Sequence, residues 1–417
     1  YLFHRDRTGF LLAGHLLQAA DRGVRVRLLL DDMDMGGRDA GLAAIDQHPN
    51  IEIRLFNPFP SRGLRVMDFV THFGNVTRRM HNKSFTIDNK VTIVGGRNIA
   101  DEYFETGGTT EFLDEDLFVI GAPVDDVSDG FDEYCNSPEA MPMSAFDRMV
   151  AHSKVGDSLT VARDLLAEHL DGPFLGNVDN EIIERFEAGT LDLIEAYIEV
   201  VQDHPDKVRH RRWRRSYESL EYLMQMVSAA EQEVVIISPY FVPEKQGVDF
   251  FATLAKKGVR IVIITNSLAS TNHKSVHAVY RRHRKPLLEQ GIELYELRPR
   301  YEGMSTDTDL TLHSKVLTVD RKRTFVGSFN LDPRSLYLNT ELGLAVDSEE
   351  LATHMATSIL DLLPDLAYKL SLSPKGRLQW VLRTGGVEEV ITTAPRTSWW
   401  LRLRTWLTGL LRIEGQL

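Results

Sequence analysis

Short apolar runs alternate with segments of helical periodicity along this chain, and the alternation occurs twice. In the first round, Ala19-Ala20-Asp21-Arg22-Gly23-Val24-Arg25 leads into the apolar run 26–30. In the second, Leu254-Ala255-Lys256-Lys257-Gly258-Val259-Arg260 leads into 261–265. Each reads as a helix end, a glycine cap and a buried strand. A helical segment and a further strand follow in both rounds, at 51–56 and at 292–297. A loop then leads to a histidine motif, 58 residues after Gly23 (at His81) and 55 residues after Gly258 (at His313). Strands alternating with helices predict an α/β fold with a largely buried sheet in each half.

The pattern divides the chain into four parts. Residues 1–124 form a first repeat and 218–347 a second. Between them, 125–217 is an acidic and then helical connecting segment, punctuated by Pro142, Pro173 and Pro205 and ending in a basic run from Lys207 to Arg215. Residues 348–417 are a C-terminal extension expected to carry its own helices. Tyr1-Leu2-Phe3 resembles the end of a buried strand and no Met opens the chain, so the sequence is expected to be a piece of a longer one.

Composition narrows the functional classes. A hydrophobic fraction of 43% and a charged fraction of 26% suit a globular protein. The longest uncharged apolar runs fall short of the ~18 residues needed to span a bilayer. A formal net charge of -12 weighs against non-specific nucleic-acid binding, because surfaces that track phosphates are basic. The single cysteine, Cys135, excludes an intrachain disulfide and reads as a small buried hydrophobe.

The motif in each round is His-x-Lys-x4-Asp. The copies are His81-Asn82-Lys83-Ser84-Phe85-Thr86-Ile87-Asp88 and His313-Ser314-Lys315-Val316-Leu317-Thr318-Val319-Asp320. In a chain with 14 histidines, chance gives such a match on the order of a few hundredths of a time. Gly95-Gly96-Arg97-Asn98 follows the first histidine by 14 to 17 positions, and Gly327-Ser328-Phe329-Asn330 follows the second by the same 14 to 17. The β-branched residues make each motif a strand, in which residues i and i+2 share a face. His81 and Lys83 therefore point together, as do His313 and Lys315. Asp88-Asn89 and Asp320-Arg321 suit hairpin turns, and the returning strand brings the glycine and asparagine back beside the His and Lys.

This combination suits phosphodiester chemistry. Such a reaction needs a nucleophile, an acid for the leaving oxygen, and positive charge or hydrogen-bond donors against the non-bridging oxygens. His81 and His313 supply the first two. Lys83, Lys315, Asn98 and Asn330, with Ser328 and Gly96 beside them, are candidates to bind the phosphate. No cluster of metal ligands accompanies the motifs, so turnover without metal or other cofactor is expected. A nucleophilic imidazole needs its tautomer held, usually by a carboxylate. Glu341 precedes the apolar strand 342–346, and aligning that strand with 117–120 places Asp114 opposite it, with Asp116 the neighbouring candidate. A lone histidine is more often structural than catalytic, but its recurrence within a repeat reverses that balance. For Asp88 and Asp320 a turn-forming role stands level with a catalytic one.

The two motifs, with Gly-Gly-x-Asn and Gly-Ser-x-Asn behind them, resemble the duplicated signature of the phospholipase D superfamily. The resemblance covers residues 1–124 and 218–347. More narrowly, Ser238-Pro239-Tyr240-Phe241-Val242-Pro243 and Gly327-Ser328-Phe329-Asn330-Leu331-Asp332-Pro333-Arg334-Ser335 are similar to bacterial cardiolipin synthases. Asp31-Asp32, His48-Pro49-Asn50-Ile51-Glu52, Arg54-Leu55-Phe56-Asn57-Pro58 and the Trp-rich tail resemble the C-type branch of that group. The resemblance implies a phospholipase D fold: two similar α/β domains with mixed sheets flanked by helices and the site at their interface. It implies a ping-pong phosphatidyl transfer in which one histidine becomes phosphorylated and glycerol or ethanolamine leaves. His81 is assigned as nucleophile and His313 as acid and base; the repeat alone is compatible with the reverse. The substrates implied are phosphatidylglycerol and phosphatidylethanolamine, at the inner membrane of a bacterium, with no nucleic-acid partner. Hydrolysis of a phospholipid or nucleic-acid diester is the competing activity, with water as acceptor. An accessory protein would leave no mark in this sequence.

Three segments bear on the membrane. In 399–412, Trp399, Leu403, Trp406, Leu407 and Leu410 fall at helical spacing, with arginines and threonines toward the other side. That suits a helix lying in the bilayer interface, or equally one packing its apolar stripe on the core. Lys274, His277, Arg281, Arg282, His283, Arg284 and Lys285, and the run Lys207–Arg215, suit either anionic head groups or solvated helix faces.

Overall fold

The structure is a computed structural model. It describes the chain apart from residues 62–64, 72, 105–107, 147–158, 161–162, 165, 168–179, 210–216, 302–303, 305–307, 385–386 and 411–417. Pro173 and the greater part of the basic run before Arg215 therefore lie outside the described residues.

The helix Arg7–Asp21 starts on Asp6, whose carboxylate accepts from the Gly9 N–H at 3.0 Å. It ends at Gly23 with φ +93°, and the corresponding helix Glu244–Lys256 ends before Gly258 with φ +92°. An L-residue in that left-handed conformation loses about 1 kcal/mol, which accounts for the repeated glycine. Leu17 and Ala20 of the first helix pack on Val26, Leu30, Ile51 and Ile53.

The strands of the first half and connecting segment are β1 (Val26–Asp31), β2 (Ile51–Phe56), β3 (Ser84–Ile87), β4 (Val91–Gly95), β5 (Thr110–Leu113), β6 (Asp116–Ile120), β7 (Ala140–Pro142) and β8 (Tyr197–Gln202). Those of the second half are β9 (Glu233–Ile237), β10 (Arg260–Asn266), β11 (Glu293–Leu297), β12 (Asp309–Leu312), β13 (Val316–Val319), β14 (Arg323–Gly327) and β15 (Leu342–Asp347). The C-terminal extension adds β16 (Ala367–Leu372), β17 (Leu378–Thr384) and β18 (Val387–Ile391).

One 10-stranded sheet has the order β18-β17-β16-β11-β10-β9-β13-β14-β15-β8. Its centre is mixed: β9, β10 and β11 run parallel, while β13 joins β9 antiparallel. The first half holds two smaller sheets, β1-β2-β7 and β3-β4-β6. The halves meet where Val94 and Val119 pack against Leu342, Leu344 and Val346, and where β5 pairs in parallel with β12.

Two expectations need correction. The connecting segment contributes sheet edges, β7 to one half and β8 to the other, as well as helix. The extension is not helical throughout: after the helix Glu349–Leu366, strands β16–β18 extend the large sheet. Alternation explains this, since Tyr368 and Leu370 are buried on either side of exposed Lys369.

Candidate active site

Two strand pairings bring the motifs together. β12 ends at Leu312 and β5 at Leu113, and the register sets these two opposite each other. The next residue on each strand is therefore His313 on one side and Asp114 on the other. Likewise a parallel bridge between Met80 and Thr340 sets His81 beside Glu341. Backbone bonds hold both arrangements: His313 N–H donates to the Leu113 carbonyl at 2.7 Å, and His81 N–H to the Thr340 carbonyl at 2.9 Å. The residue before each histidine is tied to the end of a parallel strand. Asp31 accepts from the Met80 N–H at 2.8 Å, and Asn266 from the Leu312 N–H at 2.9 Å.

The carboxylates are exchanged between halves. Nδ1 of His81 lies 2.8 Å from Glu341 Oε2, and Nδ1 of His313 lies 2.5 Å from Asp114 Oδ2. All four residues are buried. Nδ1 of His81 also meets the Ser328 carbonyl at 3.1 Å. Both neighbours are acceptors, so Nδ1 carries the proton and the lone pair resides on Nε2. Of the two candidates near the start of β6, Asp114 meets the histidine, while Asp116 pairs with Arg97 at 2.7 Å.

Behind Glu341 stands a further buried pair. Asp203 accepts from the Glu341 N–H at 3.1 Å and from Lys207 Nζ at 2.8 Å. Lys207 thus belongs to the interior and not to a lipid-facing run. The same correction applies to His277 and Arg284, which are buried, with Arg284 2.7 Å from Glu296.

Lys83 and Lys315 are drawn back beside their histidines, Lys83 Nζ lying 2.6 Å from the His81 carbonyl and Lys315 Nζ 2.6 Å from Nδ1 of His313. Burial lowers Lys83 to about 7, with Glu341 pulling the other way. Burial lowers Lys315 to about 8, opposed by Asp114. His81 falls well below its ordinary value, through burial first and then the charges of Lys83 and Lys315. His313 falls to about 3, through burial and Lys315 against the pull of Asp114. Burial opposes ionisation of Asp114 too, but Lys315 and His313 outweigh it and leave its pKa below the usual carboxylate range. Burial, with the charges of Lys83 and Lys315, favours neutral imidazoles. The negative charge of a bound phosphodiester would raise all four basic groups.

The other expected site residues divide. Asn330 is buried and its Oδ1 has no hydrogen-bond partner among the described residues. The Asn98 amide is engaged internally: Oδ1 accepts from Leu2 N–H at 3.3 Å and Nδ2 donates to the Tyr103 hydroxyl at 2.8 Å. The Ser328 hydroxyl donates to Glu341 at 2.5 Å, which makes it a support of the carboxylate and not a phosphate ligand. The Gly96 N–H is taken by the Glu115 carbonyl at 3.2 Å, and a Cβ there would stand 2.1 Å from Asp114 Oδ1. Gly96 therefore makes room for the carboxylate.

Asp88 and Asp320 do not reach the site. They sit at the far ends of their strands in hairpin turns, with φ +53° and +52°. Asp320 accepts from the N–H groups of Glu231, Gln232 and Glu233 at 2.9, 2.7 and 2.8 Å. Their physical role is to shape the turn and, for Asp320, to anchor the start of β9.

Sequence reasoning passed over several neighbours of the histidines. Tyr1 stands edge-on to His81 with centroids 4.8 Å apart, and Tyr240 edge-on to His313 at 6.4 Å. Phe112 stacks on His313 at 5.6 Å, and the Tyr103 hydroxyl lies 3.3 Å from its Nε2. Asp31 and Asn266, eight positions after Gly23 and Gly258, were a usable signal; Tyr103 has no aromatic counterpart. Among the described residues, the group spaced to share a cation is His4, Asp6 and Glu102, which includes neither histidine of the site.

Two repeated halves, each lending a histidine and lysine to one pocket and a carboxylate to the other's histidine, define a phosphodiester-cleaving site of the phospholipase D type. The chain belongs to the family described as cardiolipin synthase, PLD-like domain, whose sequence model matches residues 1–123 and 223–362. It is 40% identical to cardiolipin synthase C of Escherichia coli (strain K12) over 99% of this chain and 89% of that protein. It is 30% identical to an uncharacterized protein of Helicobacter pylori (strain ATCC 700392 / 26695), over 97% of this chain and 81% of that one. In three dimensions it is similar to phosphatidylserine synthase of Haemophilus influenzae Rd KW20, with a TM-score of 0.54 at 13% identity, covering 98% of this chain and 93% of that one. That likeness speaks to the fold.

Proposed function

We propose that this chain forms cardiolipin by phosphatidyl transfer between phospholipids, through a phosphohistidine on His81. The exchanged His–carboxylate pairs carry the reading, because each fixes its histidine at Nδ1, which leaves His81 a free Nε2 lone pair and lets His313, once substrate is bound, carry at Nε2 the proton that the first step delivers. The 40% identity to a cardiolipin synthase over nearly the whole chain selects phospholipid among phosphodiesters.

In the first half-reaction the Nε2 lone pair of His81 attacks phosphorus of phosphatidylglycerol. The P–O bond to glycerol breaks, and the departing oxygen takes the Nε2 proton of His313. In the second, the hydroxyl of another phosphatidylglycerol gives its proton to His313 Nε2 as its oxygen attacks phosphorus. The P–N bond breaks, its electron pair returns to His81, and cardiolipin leaves. Lys83, Lys315 and Asn330 face the non-bridging oxygens. Phosphatidylethanolamine serves as donor by the same steps, with ethanolamine leaving.

The pocket is brought to the bilayer by the helix Trp399–Leu410. Its apolar stripe points outward: Trp399 is 55%, Trp400 64%, Trp406 47% and Leu407 52% exposed. The inward side is small and polar, with Thr405 buried and Gly409 against the Ala278 carbonyl. A helix that buries Thr405 and Gly409 and shows tryptophan and leucine, with Arg404 also exposed, suits the interface of a membrane. The side chain of Leu410 lies outside the described residues. No described helix is long and apolar enough to cross a membrane, and the proposed attachment is peripheral, at the bacterial inner membrane.

The test is thin-layer analysis of radiolabelled phosphatidylglycerol incubated with the protein, with and without phosphatidylethanolamine, beside His81→Ala. Cardiolipin made only by the intact protein supports the transferase. Phosphatidic acid as sole product would instead make it a hydrolase. Addition of EDTA is expected to leave the rate unchanged.

A further inference from the structure

We propose that Tyr103 is a positioning residue that makes the two histidines unequal, engaging the Nε2 lone pair of His313 and leaving that of His81 open for attack on phosphorus. The inference deepens the phosphatidyl-transfer reading and rests on it for the identity of the group transferred.

Four contacts place the phenol. Its ring stands edge-on to both His313 and Phe112, with centroids 5.0 and 4.8 Å apart. Its oxygen lies 3.3 Å from His313 Nε2 and accepts from Asn98 Nδ2 at 2.8 Å. With the amide supplying a donor, the phenol's own O–H is left to point at the imidazole. Burial keeps that hydroxyl protonated, well above its ordinary pKa. Nδ1 of His313 faces Asp114, so the ring is bonded at both nitrogens; Lys315 Nζ also approaches, 2.6 Å from Nδ1 and 3.2 Å from Nε2, with its shortest contact to the His313 carbonyl.

His81 lacks this second bond. Among the described residues its hydrogen bonds are at Nδ1, to Glu341 and the Ser328 carbonyl. Tyr103 lies five positions after Asn98, and the residue five after Asn330 is Ser335. The Ser335 hydroxyl accepts from the Asn330 N–H at 3.2 Å and so serves the backbone, not a histidine. The repeat is therefore broken at the position that governs access to a reactive nitrogen.

The chemistry turns on that difference. A nucleophile must present a free lone pair along the line of attack, and His313 would have to break its bond to the phenol to do so. An acid or base exchanges that bond for one to the reacting oxygen, so its nitrogen is never left without a hydrogen bond. When Nε2 is unprotonated the phenol donates to it, and when Nε2 is protonated the phenol oxygen can accept. Tyr103 thus has a partner in both states of a proton carrier and none once Nε2 is bonded to phosphorus.

Tyr103→Phe removes the hydroxyl and keeps the ring packed on Phe112. Two measurements test the proposal. The first needs no lipid: in protein labelled with 15N-histidine, the Nε2 resonance of His313 should move toward that of a free imidazole in Tyr103→Phe, with His81 unmoved. The same movement is expected in Asn98→Ala, which frees the phenol to turn away. An unchanged His313 resonance in both would overturn the proposal. The second maps the covalent adduct after mixing with vesicles of 32P-labelled phosphatidylglycerol. His313→Ala should carry label on His81, and His81→Ala should carry none. The double variant His81→Ala, Tyr103→Phe should gain the label on His313 that His81→Ala lacks, because one hydrogen bond at Nε2 has been removed. Label on His313 in His81→Ala alone would overturn it. Intact protein that makes neither adduct nor product would count against phosphatidyl transfer, and the resonance experiment would still decide the role of Tyr103.

Discussion

The two halves of the molecule build the same histidine site from different sheets. In the second half β9 lies between β10 and β13 and joins the parallel and antiparallel strands into one surface. In the first half β1-β2 and β3-β4 belong to separate sheets, with no described strand joining them. The outer face of β3-β4-β6 differs accordingly. Phe85 and Ile93 are 40% and 39% exposed, whereas their counterparts Leu317 and Phe325 are 8% and 2% exposed in the large core. The histidines are nonetheless held alike, each by a parallel pairing that ends one residue before it and by a side chain at the end of a parallel strand. What the site requires of the fold is this local register, and a continuous sheet is one of at least two ways to supply it.

The comparison can be broken at several depths. The deepest cut is at the imidazoles. His81→Ala and His313→Ala should each lower kcat by roughly 10^5-fold or more, measured by product formation, because the two act as a unit. Replacing the carboxylates tests whether the exchange between halves is symmetric. Glu341→Gln and Asp114→Asn should each cost roughly 10^3- to 10^4-fold in kcat with KM little changed, since each holds one tautomer. A loss confined to one of them would show that a single histidine needs its tautomer fixed.

The lysines sharpen the comparison through pH. Their ammonium forms are required to face the phosphate, so kcat/KM should fall on the alkaline side between about 7 and 8, the values for Lys83 and Lys315. Lys83→Arg and Lys315→Arg should move that limb upward, because a guanidinium stays charged. Stability follows the opposite sign. Each lysine is lowered from its ordinary 10.5, so the unfolded chain binds more protons than the native one between that value and about 7 to 8. Denaturant titrations should show stability rising with pH across that window and lost again as pH falls.

The smallest expected effects concern the supports. Asp31 is a buried carboxylate 3.6 Å from Arg79, whereas its counterpart Asn266 is neutral. Asp31→Asn should destabilise the protein by about 3 kcal/mol in urea unfolding, by leaving a buried guanidinium without its counter-charge. Asp320→Ala should cost about 1 kcal/mol through three orphaned N–H groups, and Asp88→Ala within about 0.5 kcal/mol, both with near-normal kcat. A collapse of kcat in either aspartate variant would restore a catalytic role to the motif's third residue.

Much of this was legible in the sequence because it is local. The glycine caps at Gly23 and Gly258, the hairpins at Asp88-Asn89 and Asp320-Arg321, and the i, i+2 pairing of His with Lys follow from backbone sterics and strand geometry. Asp114 and Glu341 emerged from aligning the repeats, but which histidine each meets depends on how the halves associate, and no spacing encodes that. Ser328 and Gly96 stand beside a carboxylate of the neighbouring strand in their own half, Glu341 and Asp114, which takes up the hydroxyl of the one and the space beside the other. Tyr103 escaped because comparing repeats rewards what recurs, and here the informative residue is the one without a counterpart. The strands β16–β18 were hidden by the helix that precedes them.

The exchange of carboxylates also makes catalysis a report on assembly. Expressed as two separate fragments, each half would carry a histidine with no acid beneath it and would be inert. Mixed, the fragments could turn over only where β5 finds β12 and Met80 finds Thr340. Activity would then count correctly docked pairs in a way that spectroscopy of either fragment does not. The same dependence ties the two halves together in descent: a substitution that shifts β5 is felt at a histidine 199 positions away, so neither copy of the duplication is free to drift alone.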